Sequence, residues 1–153
     1  MNKKRAIGIV GGMILLIIGI FYYRNNMDCE LYPTPDKIIV FESGEVVEIK
    51  NDDDIFYKIC NLHKMPKTMD VTETSISEDD ITEIEKEGIA VEYIYYNDIE
   101  LNFDVGEEKC RKILFVYSGW CRDNVIFGEE NYQSGTVEQH LNQKKLEQLV
   151  KID

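Results

Sequence analysis

Residues 6 to 23 carry no charged side chain, in a chain of 153 residues of which 30% are charged. The stretch from Ala6 to Tyr23 reads AIGIVGGMILLIIGIFYY, and as a helix it spans roughly 27 Å at 1.5 Å per residue, close to the thickness of a hydrocarbon core. It is expected to cross a bilayer once. Lys3, Lys4 and Arg5 precede it and Phe21-Tyr22-Tyr23-Arg24-Asn25-Asn26 follow it. Bulky aromatics and an arginine suit an interfacial belt, whereas a cleaved signal peptide ends in small residues. Asn26-Met27-Asp28 before Cys29 is likewise the wrong context for a lipid-attachment cysteine. An uncleaved anchor is therefore expected at 6–23.

Three cations on the N-terminal side against Arg24 alone directly beyond the span put residues 1–5 in the cytoplasm and the rest outside. Gly8 and Gly12 have the small-xxx-small spacing that lets two membrane helices approach, so a weak homodimer through the anchor is an expectation. Removing the three N-terminal cations from the whole-chain charge of −12 leaves −15 for everything after them. A nucleic-acid reader needs a basic face to displace counterions, so that function is excluded. An acidic domain attracts cationic partners, although the same charge also serves solubility. Twenty isoleucines and thirteen lysines against four arginines and two alanines suggest an AT-rich bacterial genome, which makes the outside an envelope compartment.

Beyond the block the chain still has a roughly 40% apolar content, enough for one packed domain. Residues 24–35 read as a polar tether ending in Pro33-Thr34-Pro35, and a domain is expected over 36–153. Its pattern is α+β: antiparallel β-hairpins packed with two or three short helices. Lys37 to Glu42 and Glu45 to Lys50 flank Ser43-Gly44, a hairpin register that pairs Val40 with Val47 and Ile38 with Ile49. A helix is expected after Asp52-Asp53-Asp54, with Ile55, Ile59 and Leu62 on one stripe. Ser77 with Asp80 three residues on, Ile76 and Ile81 as a staple, and Gly88 as a stop predict a second helix. Asn142 predicts the cap of a third, with Leu141 and Leu146 as its staple. Met69 to Ser75 and 136–141 are left without a firm assignment.

Ile89 to Tyr96 and Ile99 to Val105 read as a hairpin turning at Asn97-Asp98. Pairing around that turn buries Ile94, Tyr96, Ile99 and Leu101 and sends Tyr93 and Tyr95 to the reverse face beside Glu100 and Asn102. Tyrosine on a sheet face and tryptophan in a loop bury much area at little entropy cost. Tyr93, Tyr95, Glu100 and the lone Trp120 are thus the candidate binding residues, with helix cover over the tyrosines as the competing structural role.

Other chemistry is sparse. Cys60 and His63 stand at zinc-ligand spacing, but no second pair accompanies them, and no orienting group makes Cys60 a nucleophile. Strand geometry argues against a Cys110–Cys121 disulfide and leaves Cys60 with either of them open. No catalytic residue, metal or cofactor is assigned. The sequence points to a single-pass membrane protein whose acidic extracytoplasmic domain is a binding, accessory, sensor or immunity module. Its partners are the bilayer through 6–23 and a protein or other envelope component. The alternative is an envelope hydrolase whose carboxylates the fold assembles, and a cleft holding two convergent acids would favour it.

Overall fold

The computed structural model describes residues 29–66, 71–72, 76–103 and 106–150. The apolar block at 6–23 lies outside the described residues, and among those residues no helix is long and apolar enough to cross a membrane. In chain order the elements are β1 (Cys29–Leu31), β2 (Lys37–Glu42), β3 (Glu45–Ile49), α1 (Asp54–Cys60), β4 (Lys64–Pro66), β5 (Val71–Thr72), α2 (Glu78–Glu87), β6 (Ile89–Phe103), β7 (Gly106–Val116), β8 (Asn124–Gly128), β9 (Tyr132–Glu138) and α3 (Gln143–Leu149). The chain divides into two compact units. In the smaller, the described part belongs to the two-stranded β1–β4 pair. The larger is an α+β domain whose antiparallel sheet runs β3-β2-β6-β7-β8-β9-β5, the last strand being only two residues long.

Local chemistry explains the elements the sequence announces. Ser43 and Gly44 hold φ of 51° and 88°, the left-handed pair that a two-residue hairpin loop needs to match strand twist. Val40 accordingly faces Val47, and Ile38 faces Ile49. At the start of α2 the Asp80 amide donates to Ser77 Oγ at 3.2 Å, while the Ser77 amide donates to Asp80 Oδ2 at 2.8 Å. Two of the helix's orphan donors are satisfied reciprocally. Gly88 ends α2 for a steric reason: a Cβ there would lie 2.7 Å from the Ile84 carbonyl oxygen. Asn142 Oδ1 caps α3 by accepting from the Lys145 amide at 3.1 Å, and Leu141 and Leu146 are buried beside it.

The central hairpin is corrected. Ile89 to Phe103 is one strand, and Asn97-Asp98 lies within it. The register jumps from Ile94↔Lys112 to Ile99↔Cys110, so residues 95–98 stand opposite Arg111 alone. This wide bulge absorbs the turn-like dipeptide, and an Arg111 Nε to Asp98 Oδ1 ion pair closes it. Its three surplus residues reverse the alternation as a turn would, so Ile94, Ile99 and Leu101 still share one face and Tyr93 lies on the other. Tyr96 is 70% exposed rather than buried. Tyr93 and Tyr95, candidates for binding with cover as their competing role, are 1% and 4% exposed, so they are covered.

Both faces of the sheet are covered, which is why residues 89–95 are almost continuously apolar. On one face Val40, Val91, Phe115, Val125 and Val137 lie in register across five strands. His63, just beyond α1, stacks on Phe115 there, and α1 packs against α3. On the other face α2 contributes Ile81 and Ile84 to a core of Phe41, Ala90, Leu114, Val116, Cys121 and Ile126. Helix α1 stops at Cys60 and buries Phe56 and Ile59 rather than the full Ile55, Ile59, Leu62 stripe. Packing begins before Asp36: Tyr32 is buried, meets Phe115 edge-on at 5.1 Å and donates from its hydroxyl to Gln139 Oε1 at 3.0 Å.

Candidate functional site

Two polar clusters lie against the sheet, one sealed and one open. The sealed cluster is centred on His63, which is fully buried. Its Nδ1 lies 2.6 Å from the Tyr93 hydroxyl and its Nε2 lies 2.7 Å from the Tyr117 hydroxyl. A neutral imidazole has one donor and one acceptor, and each tyrosine hydroxyl can play either part, so both ring nitrogens are satisfied. The ring stacks on Phe115 with centroids 3.7 Å apart. Burial pushes the imidazole's pKa down to about 3 and raises that of the Cys60 thiol. Neither ring nitrogen is left for a metal or a substrate proton. Cys60 and His63 therefore form packing, with the three residues after Cys60 in a turn rather than on a helical face.

The four residues singled out by sequence do not converge. Tyr93 belongs to the sealed cluster. The Tyr95 hydroxyl donates to the Pro33 carbonyl at 2.7 Å. Glu100 lies beyond the bulge, exposed and 3.5 Å from Lys109 Nζ. Trp120 is 55% exposed in the turn after the other end of β7, and seven residues of strand between Lys109 and Val116 correspond to roughly 23 Å. Cys60, Cys110 and Cys121 are reduced thiols. Cys121 belongs to the α2-side core, while Cys60 neighbours Tyr93 on the opposite face, so the sheet separates them.

The open cluster is a cleft between α2 and the sheet. Glu78, Ile81, Thr82 and Glu85 present one face of the helix at spacings of three and four residues. Glu92 of β6 and Lys112 of β7 form the floor, and Glu130, Asn131 and Tyr132 form the wall. The enclosed space is about 340 Å³, near the lower end for small-ligand pockets. Glu92 is 6% exposed, between Ile39 and Leu114 on the neighbouring strands. The Tyr132 hydroxyl donates to its Oε1 at 2.6 Å. Among the described residues its other oxygen has no hydrogen-bond partner, and no side-chain oxygen sealed from solvent lacks one. That oxygen therefore opens into the cleft.

Taking a carboxylate from water costs several kcal/mol unless it is paired, and one tyrosine bond offsets only part of this. The electrostatics spread outward from Glu92. Burial first, and Glu92 second, hold the Glu85 carboxyl above its ordinary range, with Lys112 opposing. Burial and then Glu92 raise the Tyr132 phenol far above its usual value. Lys112 Nζ stands 5.9 Å from the centroid of the Tyr132 ring.

Two roomier depressions, about 450 Å³ beside Arg122, His140 and Lys144 and about 390 Å³ beside Lys37, Glu48 and Tyr96, contain no buried titratable side chain. Among the described residues no group of three or more histidine, cysteine, aspartate or glutamate side chains is arranged to hold a metal ion. Sequence reasoning missed the cleft, although one signal was present. Glu92 is the single charge in Ile89-Ala90-Val91-Glu92-Tyr93-Ile94-Tyr95-Tyr96, a run apolar enough to be covered on both sides. No protein-family model matches the chain, and no curated protein or solved structure matches it.

Proposed function

We propose that this protein is a membrane-anchored binding module whose acidic domain stands outside the cytoplasm and engages its partner at the Glu85–Glu92–Tyr132 cleft. The observation that carries the reading is Glu92: a carboxylate kept at 6% exposure with, among the described residues, one hydrogen bond and a second oxygen facing an open space. Folding alone gains little from such a group, since an apolar residue at that sheet position would pack without the desolvation cost. The uncharged block at 6–23 and the cations at Lys3, Lys4 and Arg5 supply the anchor and its orientation.

A photo-crosslinking residue in place of Thr82, which lines the cleft, tests this in intact cells. A discrete adduct is expected from Thr82 and none from the same probe at Lys109, beyond the bulge. The adduct should disappear in Glu92→Gln. External protease applied to spheroplasts should degrade the domain, and protection would reverse the orientation.

A hydrolase is the second reading, and the placing of Glu85 and Glu92 in one cleft favours it. Two carboxyl groups facing one space are the parts that general acid and base catalysis needs. An enzyme should release a cleaved envelope polymer and lose that activity in Glu85→Gln. A binding module should return its ligand intact.

A further inference from the structure

We infer that the cleft recognises an organic cation, the guanidinium or ammonium end of an alkyl chain, and that Lys112 is the chain's own stand-in for it. This inference rests on the cleft being the binding site.

Three independent features converge. Glu78, Glu85, Glu92 and Glu130 set four carboxyl groups against one ammonium in the lining. Among the described residues the buried Glu92 keeps an acceptor oxygen without a donor, so a donor from outside completes it. Lys112 Nζ stands at the face of the Tyr132 ring, where a ring quadrupole attracts cations, and no ion pair within 4 Å secures it there among the described residues. A cation entering the cleft gains Glu92 and Glu85 by direct contact and displaces a lysine held there by the Tyr132 ring and by longer-range attraction to the carboxylates. Ile81 gives the entering alkyl stem an apolar contact. A bare divalent ion is a poorer fit, because it needs several oxygen ligands converging on one point.

The test uses the full chain in lipid nanodiscs, with backbone amide resonances followed during titration. The probes are agmatine, the peptide acetyl-Gly-Gly-Arg-Gly-Gly-amide and the same peptide with neutral citrulline in place of arginine. The arginine peptide is expected to bind saturably and to shift resonances of residues 81–92, 112 and 130–132. Glu92→Gln should weaken it about tenfold or more, and Lys112→Gln should tighten it about threefold or more by removing the competitor. Glu100→Gln, exposed and remote, should change nothing.

Binding of agmatine without the peptide would uphold the cation chemistry and assign a free amine as its source. Equal binding of the citrulline and arginine peptides would overturn the cation inference while leaving the cleft as a binding site. Absence of saturable shifts with every probe, in both the wild type and Lys112→Gln, would overturn the cation inference. The crosslinking at Thr82 would then decide the parent reading separately.

Discussion

Acid should unfold the domain through His63. Its pKa is about 3 when folded, against an ordinary 6.5, because full burial denies the charged ring its hydration. Between those values the unfolded chain binds a proton that the folded chain refuses. The contribution is complete above about pH 6.5 and shrinks as pH falls towards 3. The full gap corresponds to about 5 kcal/mol, and lowering the pH from 7.5 to 5 removes about 2 kcal/mol of it, above the range where most carboxylates titrate. Urea unfolding at the two pH values measures this directly. His63→Gln should flatten the dependence between pH 7.5 and 5. His63→Ala should lose about 3–5 kcal/mol at pH 7.5, from a cavity and two orphaned hydroxyls. An unchanged pH slope in His63→Gln would show that the ring is not the acid-sensitive group.

Replacing Tyr93 and Tyr95 together by serine should be more damaging still. Each ring is buried, and each hydroxyl is bonded, to His63 and to the Pro33 carbonyl respectively. Losing a large buried ring costs about 3–5 kcal/mol, so the pair approaches the whole stability of a typical domain. The double variant should show no cooperative thermal transition. Tyr95→Phe, which keeps the ring and loses only the bond to Pro33, should cost about 1 kcal/mol. A double variant that melts within a few degrees of the wild type would mean that the tyrosines lie on an open face, as alternation around Asn97-Asp98 suggests.

That contrast shows which parts of the fold were legible. The α2 cap, its staple and its terminal glycine are settled within thirteen residues, so Ser77, Asp80, Ile76, Ile81 and Gly88 could be read one after another. The Ser43-Gly44 hairpin is equally local. The long β6–β7 pair is not, because a bulge and a turn differ in what lies opposite. Arg111 facing four residues is a property of the partner strand, invisible at Asn97-Asp98. The misplaced turn cost only Tyr96: Tyr93 and Tyr95 keep the face opposite Ile94, Ile99 and Leu101 that a hairpin would give them, and what lay beyond local reading is the cover over that face. The cleft was hidden for another reason: Glu85 and Glu92 are on a helix and a strand that meet only once α2 folds back across Gly88. Burial on both faces was signalled by the near-continuous apolar run after Ile89, with Glu92 as its exception.

Glu92→Gln gives the most direct measure of whether that exception exists for a ligand. Glutamine keeps an acceptor for the Tyr132 hydroxyl and removes the need to bury a carboxylate, so the thermal midpoint should stay level or rise by a few degrees. Crosslinking from Thr82 should meanwhile be lost. Unchanged or increased stability with lost capture is the result expected of a group retained for binding. A midpoint several degrees lower with capture intact would contradict it and make Glu92 a structural partner of Tyr132.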